Sequence, residues 1–312
     1  MSVAFDIKGW CPGGMRPMPS GDGLLVRVRP WAGAFTLDQA SGLAGIAETL
    51  GNGHIDLTRR ANLQIRGLRE EGLPALHEAL DRLGLLEDEA ARNVMVDPLA
   101  RPEVRELALA LGRALPEGLS PKFGCLVDGG GPLSISGERA DIALCVTDEG
   151  IAVRVDGEWR GSSVPKPGRR HLGRLGRFTG LAAPFGRLEA MQLQALVEAV
   201  KKAGGSEIRL SPWRAVYVDA VVDVPGFIVD ENDPLLRIEA CPGAPACASA
   251  TVDTRTEARR LAALDLAGTI HVSGCAKGCA RSAPADLTLV GRDGRFGVVR
   301  DGTARDPVSL DG

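Results

Sequence analysis

The chain repeats itself, and that repeat constrains its fold more than any other feature. Gly33-Ala34-Phe35, Gln39, Leu43, Ile55, Leu57 and Thr58 correspond to Gly186-Arg187-Leu188, Gln192, Leu196, Ile208, Leu210 and Ser211, each pair 153 positions apart with no gap. One such coincidence carries nothing. A series at one constant offset marks an internal duplication. A looser echo sets Ala140-Asp141-Ile142-Ala143-Leu144 against Ala285-Asp286-Leu287-Thr288-Leu289, now 145 apart. The chain therefore reads as two similar halves, each an αβ unit followed by a second αβ unit. A duplicated chain tends to fold about a pseudo-twofold axis, and the seam between the copies is its natural ligand site.

Local patterns agree. Leu24 to Arg29 alternates as a strand. Thr36 to Leu50 has helical spacing, with Thr36 as N-cap and Gly51 just past the end. Ile55 to Ile65 reads as strand, turn, strand. Gly157 to Gly168 is the expected linker between the halves. Asp128-Gly-Gly-Gly-Pro132 is a turn, not a phosphate loop, because it lacks the Gly-Lys-Ser/Thr ending. No Gly-x-Gly-x-x-Gly follows a strand and opens a helix, which argues against a Rossmann nicotinamide domain.

Composition narrows the class. The 312 residues suggest about two domains. A hydrophobic share of 44% and a charged share of 25% exclude a disordered chain, a collagen-like repeat and a small disulfide scaffold. No run approaches the ~18 apolar residues of a membrane span. Met1 to Gly14 shows no signal-peptide pattern, so the cytoplasm is the expected compartment. The net charge of −3 exerts no general pull on nucleic acid or anionic membrane. Attraction for an anion must be local. The 37 basic residues are 31 Arg and six Lys. GC-rich codon usage accounts for such a bias; so does a need for bidentate grip on carboxylates.

Seven cysteines in a reducing compartment point to metal, catalysis or plain core. Cys241-Pro-Gly-Ala-Pro-Ala-Cys247 is a C-x5-C, and Cys275-Ala-Lys-Gly-Cys279 a C-x3-C, with Cys275 28 positions after Cys247. Four thiolates are what a 4Fe–4S cube requires, one per iron. At a helix start Cys275 and Cys279 would be i, i+4 neighbours near exposed N–H groups. Small neighbours such as Gly243, Ala244, Ala246, Ala248, Gly274 and Gly278 let backbone approach a bulky cofactor. Structural zinc and two disulfides are the competing readings, though zinc favours narrower spacings. Cys125 and Cys145 sit in apolar runs and read as core, while Cys11 is a candidate exposed thiol. His271, four before Cys275, reads as a core or cap histidine, with a proton relay as the sharper alternative.

This cysteine pattern on the second copy of a duplicated αβ chain resembles the sulfite and nitrite reductase superfamily. Leu57-Thr-Arg-Arg60-Ala-Asn-Leu-Gln64, Arg92-Asn93-Val94 and Pro121-Lys122-Phe123 look like its Thr-x-Arg, Arg-Asn-Val and Lys-Phe-Lys segments, with Gly124 where the second lysine belongs. Within the superfamily the chain is similar to the precorrin-3B synthase family. The carriers are Gly9-Trp-Cys-Pro12, Arg16-Pro-Met-Pro-Ser-Gly-Asp-Gly23, Arg59 to Gly67, Ala240 to Ala250 and His271 to Ala280.

The resemblance implies an α+β fold of two pseudo-symmetric halves, each a ferredoxin-like half-domain followed by a sulfite/nitrite-reductase-like αβ domain. The expected bounds are 1–85, 86–160, 161–230 and 231–312. It implies a 4Fe–4S cluster on Cys241, Cys247, Cys275 and Cys279, with Cys279 bridging to a second iron centre, sirohaem-type or mononuclear non-haem. Arg60, Arg92 and Lys122 would bind a tetrapyrrole, with Arg16, Arg27, Arg29, Arg66, Arg214 and Lys277 as weaker candidates. The implied activity is hydroxylation of precorrin-3A at C20 by O2, with γ-lactone closure from the ring-A acetate. NADH would be the ultimate reductant, through an electron-donor protein. Sirohaem-dependent reduction of sulfite or nitrite is the alternative, and a plain electron carrier the weaker one. A chain that carries its own twofold is compatible with a monomer.

Overall fold

A computed structural model describes residues 11–86, 93–120, 122–161 and 166–306. It divides into two compact units: a larger one of residues 11–18 and 24–229, and a smaller one of residues 19–23 and 230–306. The division falls between 229 and 230, not at Gly157–Gly168. There the expected linker builds a strand, Glu158–Arg160, and Gly168 donates its N–H to the Ser134 carbonyl at 2.8 Å.

A short strand β1 (Met18–Ser20) leads into β2 (Gly23–Val28). The larger unit then continues through β3 (Ala34–Thr36), α1 (Leu37–Thr49), β4 (His54–Leu57), β5 (Leu63–Leu68) and α2 (Leu73–Arg82). Next come β6 (Asn93–Val96), α3 (Pro102–Ala114), β7 (Gly124–Asp128), β8 (Ile142–Thr147), β9 (Gly150–Val155) and β10 (Glu158–Arg160). It closes with β11 (Gly173–Leu175), β12 (Phe178–Ala182), β13 (Arg187–Glu189), α4 (Ala190–Lys202), β14 (Glu207–Leu210) and β15 (Ala215–Val218).

The duplication is visible in these bounds: β3, α1 and β4 recur 153 residues later as β13, α4 and β14. Each copy gives one strand to the other's sheet. Strand β13 pairs with β4, setting Leu188 opposite Ile55 and Glu189 opposite His54. Strand β3 pairs with β14, setting Phe35 opposite Ile208 and Thr36 opposite Glu207. These are the same pairings with the copies interchanged. In one sheet β2, β5, β4 and β13 are neighbours in that order; the other runs β11-β12-β15-β14-β3.

Both helices start alike, because an N-cap oxygen and a glutamine three residues on satisfy each other's orphan groups. Thr36 caps α1 with Gln39, and Glu189 caps α4 with Gln192. The two helices pack on each other, and Ser41 Oγ donates to Gln194 Oε1 at 2.9 Å, two positions related by the repeat. Leu43, Ala47, Ile55, Leu188, Leu196 and Ile208 lie in one continuous buried core.

The second kind of αβ element also occurs twice. In the larger unit β6, β7 and β8 are parallel and β9 turns back antiparallel. In the smaller unit β16 (Ile238–Ala240), α5 (Thr254–Ala263), β17 (Ile270–Ser273), β18 (Ala285–Arg292) and β19 (Arg295–Gly302) repeat that pattern of parallel, parallel, antiparallel pairings. Among the described residues no helix is long and apolar enough to cross a membrane.

Candidate functional site

In the smaller unit the parallel strands β16 and β17 end side by side, and each hands over directly to a cysteine loop. Cys241 follows β16, and its N–H donates to the Val272 carbonyl at 3.3 Å. Gly274 follows β17 and donates its N–H to Cys241 Sγ at 3.2 Å. The loop between Cys241 and α5 folds back on the same strands, with Thr251 N–H on the Gly274 carbonyl at 3.2 Å and Ala250 N–H on Cys247 O at 3.0 Å. Thr254 Oγ1 donates to the Cys241 carbonyl at 2.6 Å. A Cβ on Gly274 would lie 2.5 Å from Ala250 Cβ, so the two cysteine loops meet only because that residue has none.

The four sulfurs lie within electrostatic reach of one another. Burial pushes the Cys275 thiol up, against the Lys277 N–H that bonds it, with Cys247 and Cys241 adding to the rise. Burial of the sulfur also lifts Cys279, followed by Cys241, Cys275 and Cys247, although that residue as a whole is exposed. Cys241 is buried and Cys247 and Cys275 are half-buried, so the set runs from interior to surface. Lys277 Nζ donates to Ser249 Oγ at 3.2 Å and ties one loop to the other.

One expectation fails here. Cys275 and Cys279 do not open a helix; Cys275 stands on a bend and Cys279 in irregular loop after the Ala276–Lys277 turn. Gly278 has φ +64°, a left-handed conformation that breaks helical continuation. The thiols come within electrostatic reach of one another through loop geometry instead of helix periodicity.

All seven cysteines are free, which removes the two-disulfide reading. Among the described residues no three or more His, Cys, Asp or Glu gather for a single metal ion. The donor set fits a polynuclear iron–sulfur group, where each thiolate takes its own iron and backbone N–H groups bond sulfur. His271 is fully buried on β17, and a Cβ on Gly278 would lie 3.7 Å from its Cε1, so the ring sits beneath the Cys275–Cys279 turn. Cys125 and Cys145 are fully buried, and burial raises their thiols to about 11 and about 12. Both are inert core.

The larger unit gathers the basic candidates. Arg60 stands on the β4–β5 turn, where Thr58 Oγ1 accepts from the N–H groups of Arg60 and Asn62, each at 3.2 Å. Its Nη1 donates to the Lys122 carbonyl at 2.8 Å, so Arg60 and Lys122 are brought together. Arg27 lies on β2 close to Cys11, Arg29 and Arg60. Burial lowers the pKa of its guanidinium, Cys11 opposes that, and the Arg29 and Arg60 cations add to it. Among the described residues Arg27 Nε is buried without a partner. Arg29 is itself buried and donates to the Pro12 carbonyl at 3.4 Å.

The remaining candidates lie elsewhere. Arg66 is buried against Asp56 at 3.4 Å, and Arg187 holds the same carboxylate through two bonds of 2.7 and 3.0 Å. That is an ion pair across the exchanged strands β4 and β13. Arg214 occupies a left-handed turn position, φ +56°, with its side chain against Gly186. Arg16 is exposed. Arg92 lies outside the described residues.

Asn93 was not singled out as a site residue. It opens β6 beside Gly124, only 4% exposed, hydrogen-bonded to the Asn62 amide at 2.7 Å, with the other end of its own amide unpartnered. The Arg-Asn-Val segment was the available signal. A Cβ on Gly124 would meet Asn93 Nδ2 at 3.4 Å and Arg60 Nη1 at 3.5 Å. A Cβ alone would therefore be in van der Waals contact with both polar groups.

The family of nitrite/sulfite reductase ferredoxin-like half domains matches residues 16–83. Precorrin-3B synthase of Sinorhizobium sp is 32% identical, over 97% of this chain and 85% of its own. That alignment spans 390 positions, more than the 312 residues here, so the relative carries segments this chain does without. Ferredoxin–nitrite reductase of Leptolyngbya laminosa is 33% identical, over only 30% of this chain and 19% of its own. The solved Mycobacterium tuberculosis NirA protein superposes with a TM-score of 0.67 over 91% of this chain and 76% of its own, at 18% identity, which speaks for the fold alone. A duplicated αβ chain, matched along nearly its whole length, thus belongs to the precorrin-3B synthase family, an oxidoreductase branch of the nitrite and sulfite reductase superfamily.

Proposed function

We propose that the chain is a precorrin-3B synthase that hydroxylates precorrin-3A at C20, with γ-lactone closure from the ring-A acetate. One atom of O2 enters the product, and the other leaves as water with two electrons and two protons. The observation that carries this reading is the clustering of three arginines, Arg27 with Arg29 and Arg60 within electrostatic reach, beside the Lys122 carbonyl that Arg60 bonds. A plain electron carrier has no use for such a group. A substrate ringed by acetate and propionate carboxylates gains bidentate, charge-assisted bonds from it.

Cys241, Cys247, Cys275 and Cys279 would hold a 4Fe–4S cluster, with Cys279, the outermost residue of the four, shared with a second iron centre. When bound, such a cluster supplies electrons one at a time from an external donor fed by NADH. The chain's own part is placement. Arg27, Arg29 and Arg60 grip carboxylates, Lys122 adds a flexible cation at the exposed edge, and the Asn93 amide offers a neutral hydrogen bond beside Arg60. Lys277 offsets thiolate charge. The segments 1–85, 86–160, 161–230 and 231–312 are proposed as the four repeated domains, in a monomer.

Gly124 weighs against oxyanion reduction, since it withdraws a cation where the reductases carry one. The test is turnover by anaerobically purified protein given precorrin-3A, a reductant and isotopically labelled dioxygen. The expected product is heavier by one labelled oxygen atom, and Arg60→Ala should weaken substrate affinity about tenfold. Reduction of nitrite or sulfite with bound sirohaem, and no labelled product, would replace this reading with the reductase one.

A further inference from the structure

The segment Pro19-Ser-Gly-Asp-Gly23 has no part in the reading above, yet it belongs to the smaller unit, more than two hundred residues away in sequence. Gly21 is what places it there. A Cβ on Gly21 would lie 2.3 Å from Ala248 N, 2.6 Å from Cys247 Cα and 2.7 Å from Cys247 C. All three are backbone atoms, so no rotamer change could relieve the overlap. Glycine is the one residue that lets this strap lie flat on the Cys247–Ala248 peptide.

That peptide carries the second thiol of the four. Of the cysteine-bearing backbone, Cys241 is held by the Val272 carbonyl and Thr254 Oγ1. Cys247 sits mid-loop, half-buried, and its carbonyl receives a single short-range bond from Ala250 N–H. Nothing from β16 or β17 reaches its peptide directly among the bonds described. The strap covers that gap from the other side.

We infer that Gly21 is a positioning residue: the strap it forms holds the Cys247–Ala248 peptide so that the Cys247 thiol is presented with the other three. The inference rests on the iron–sulfur reading of the four cysteines. Its reach extends further along the chain, because six residues after Gly21 comes Arg27 of the anion-gripping group, on the strand the strap leads into. The strap therefore links, by covalent continuity, the segment that grips substrate to the loop that holds a cluster thiol.

The test compares wild type, Gly21→Ala and Gly45→Ala after anaerobic reconstitution with iron and sulfide. Position 45 has nothing within 4 Å of an added Cβ and serves as the control. Gly21→Ala should retain a native far-ultraviolet spectrum while its iron and acid-labile sulfide fall at least severalfold and its cluster absorption bleaches in air faster than in the control. Full iron and sulfide in Gly21→Ala, at wild-type air stability, would overturn the inference. Absence of a cluster from wild type itself would remove the iron–sulfur reading instead, and the inference with it. Should Gly21→Ala fail to fold, hydrogen exchange of wild type decides. Backbone amides of the Gly21 segment and of Ala248 should exchange faster once iron is chelated. Rates unchanged by chelation would overturn the inference.

Discussion

A single buried carboxyl gives the protein a pH response independent of its chemistry. Asp97 is 4% exposed and Asp128 fully buried beside it. Burial, opposed by the Leu99 N–H and reinforced by the charge of Asp128, pushes Asp97 up to about 7 from an ordinary value of 3.8. Between those pH values the folded chain keeps a proton that the unfolded chain has lost. The stability this group contributes is full below about pH 4 and is lost as pH rises through 7. Denaturant midpoints between pH 5 and pH 8 should therefore drop less steeply in Asp97→Asn than in wild type; an identical slope would contradict the assignment. Residue-scale legibility was uneven. That the four cysteines lie within electrostatic reach of one another could be expected, because their spacing sets them in two paired loops. Asn93 and Gly21 could not, because an amide gains meaning from what it fails to bond, and a glycine from the backbone it touches.

At the scale of elements, α1 shows how one helix serves two environments. Its Ala40, Leu43, Ala44, Ile46 and Ala47 are buried, and the small residues among them let α4 approach. Gly42 and Gly45 lie on the same helix with opposite prospects. A Cβ at 42 would sit 2.7 Å from both Leu83 methyls, whereas at 45 it would touch nothing. Gly45→Ala should raise stability by about 0.5–1 kcal/mol, and Gly42→Ala should lower it by about 1 kcal/mol through overpacking. Chemical denaturation measures both. The bounds of α1 were legible because its spacing is helical, Thr36 can cap its start and Gly51 lies just past its end. The helix expected at Cys275 was not there. Gly278 permits a left-handed turn, and the paired loops above β16 and β17 use it. Local periodicity cannot see that competition.

On the scale of the whole chain, the duplication could be read, but the way its copies interlock could not. Offsets in sequence do not reveal that β3 completes the sheet of β14 while β13 completes that of β4. The Gly157–Gly168 segment was expected to part the halves for the same reason: composition marks a flexible stretch, whereas strand pairing decides what can be parted. Residues 24–161 expressed alone should remain unfolded or aggregate, since the edge of β4 would lack its partner. Coexpressed with residues 166–306, they should form a stable one-to-one complex, detectable by size-exclusion chromatography with light scattering. A soluble, cooperatively folding monomer of either fragment would contradict this.

The reciprocal exchange also bears on descent. A gene for one copy alone would encode a chain with a missing strand and a spare one, which a second identical molecule supplies and accepts. Such an ancestor is a swapped homodimer in which every residue near the axis faces itself. Ser41 and Gln194 are the present occupants of one such position, and they differ. Fusion into a single chain released the axis from that identity. The same release lets one copy of the following αβ element keep four thiols while its counterpart carries none of them in register.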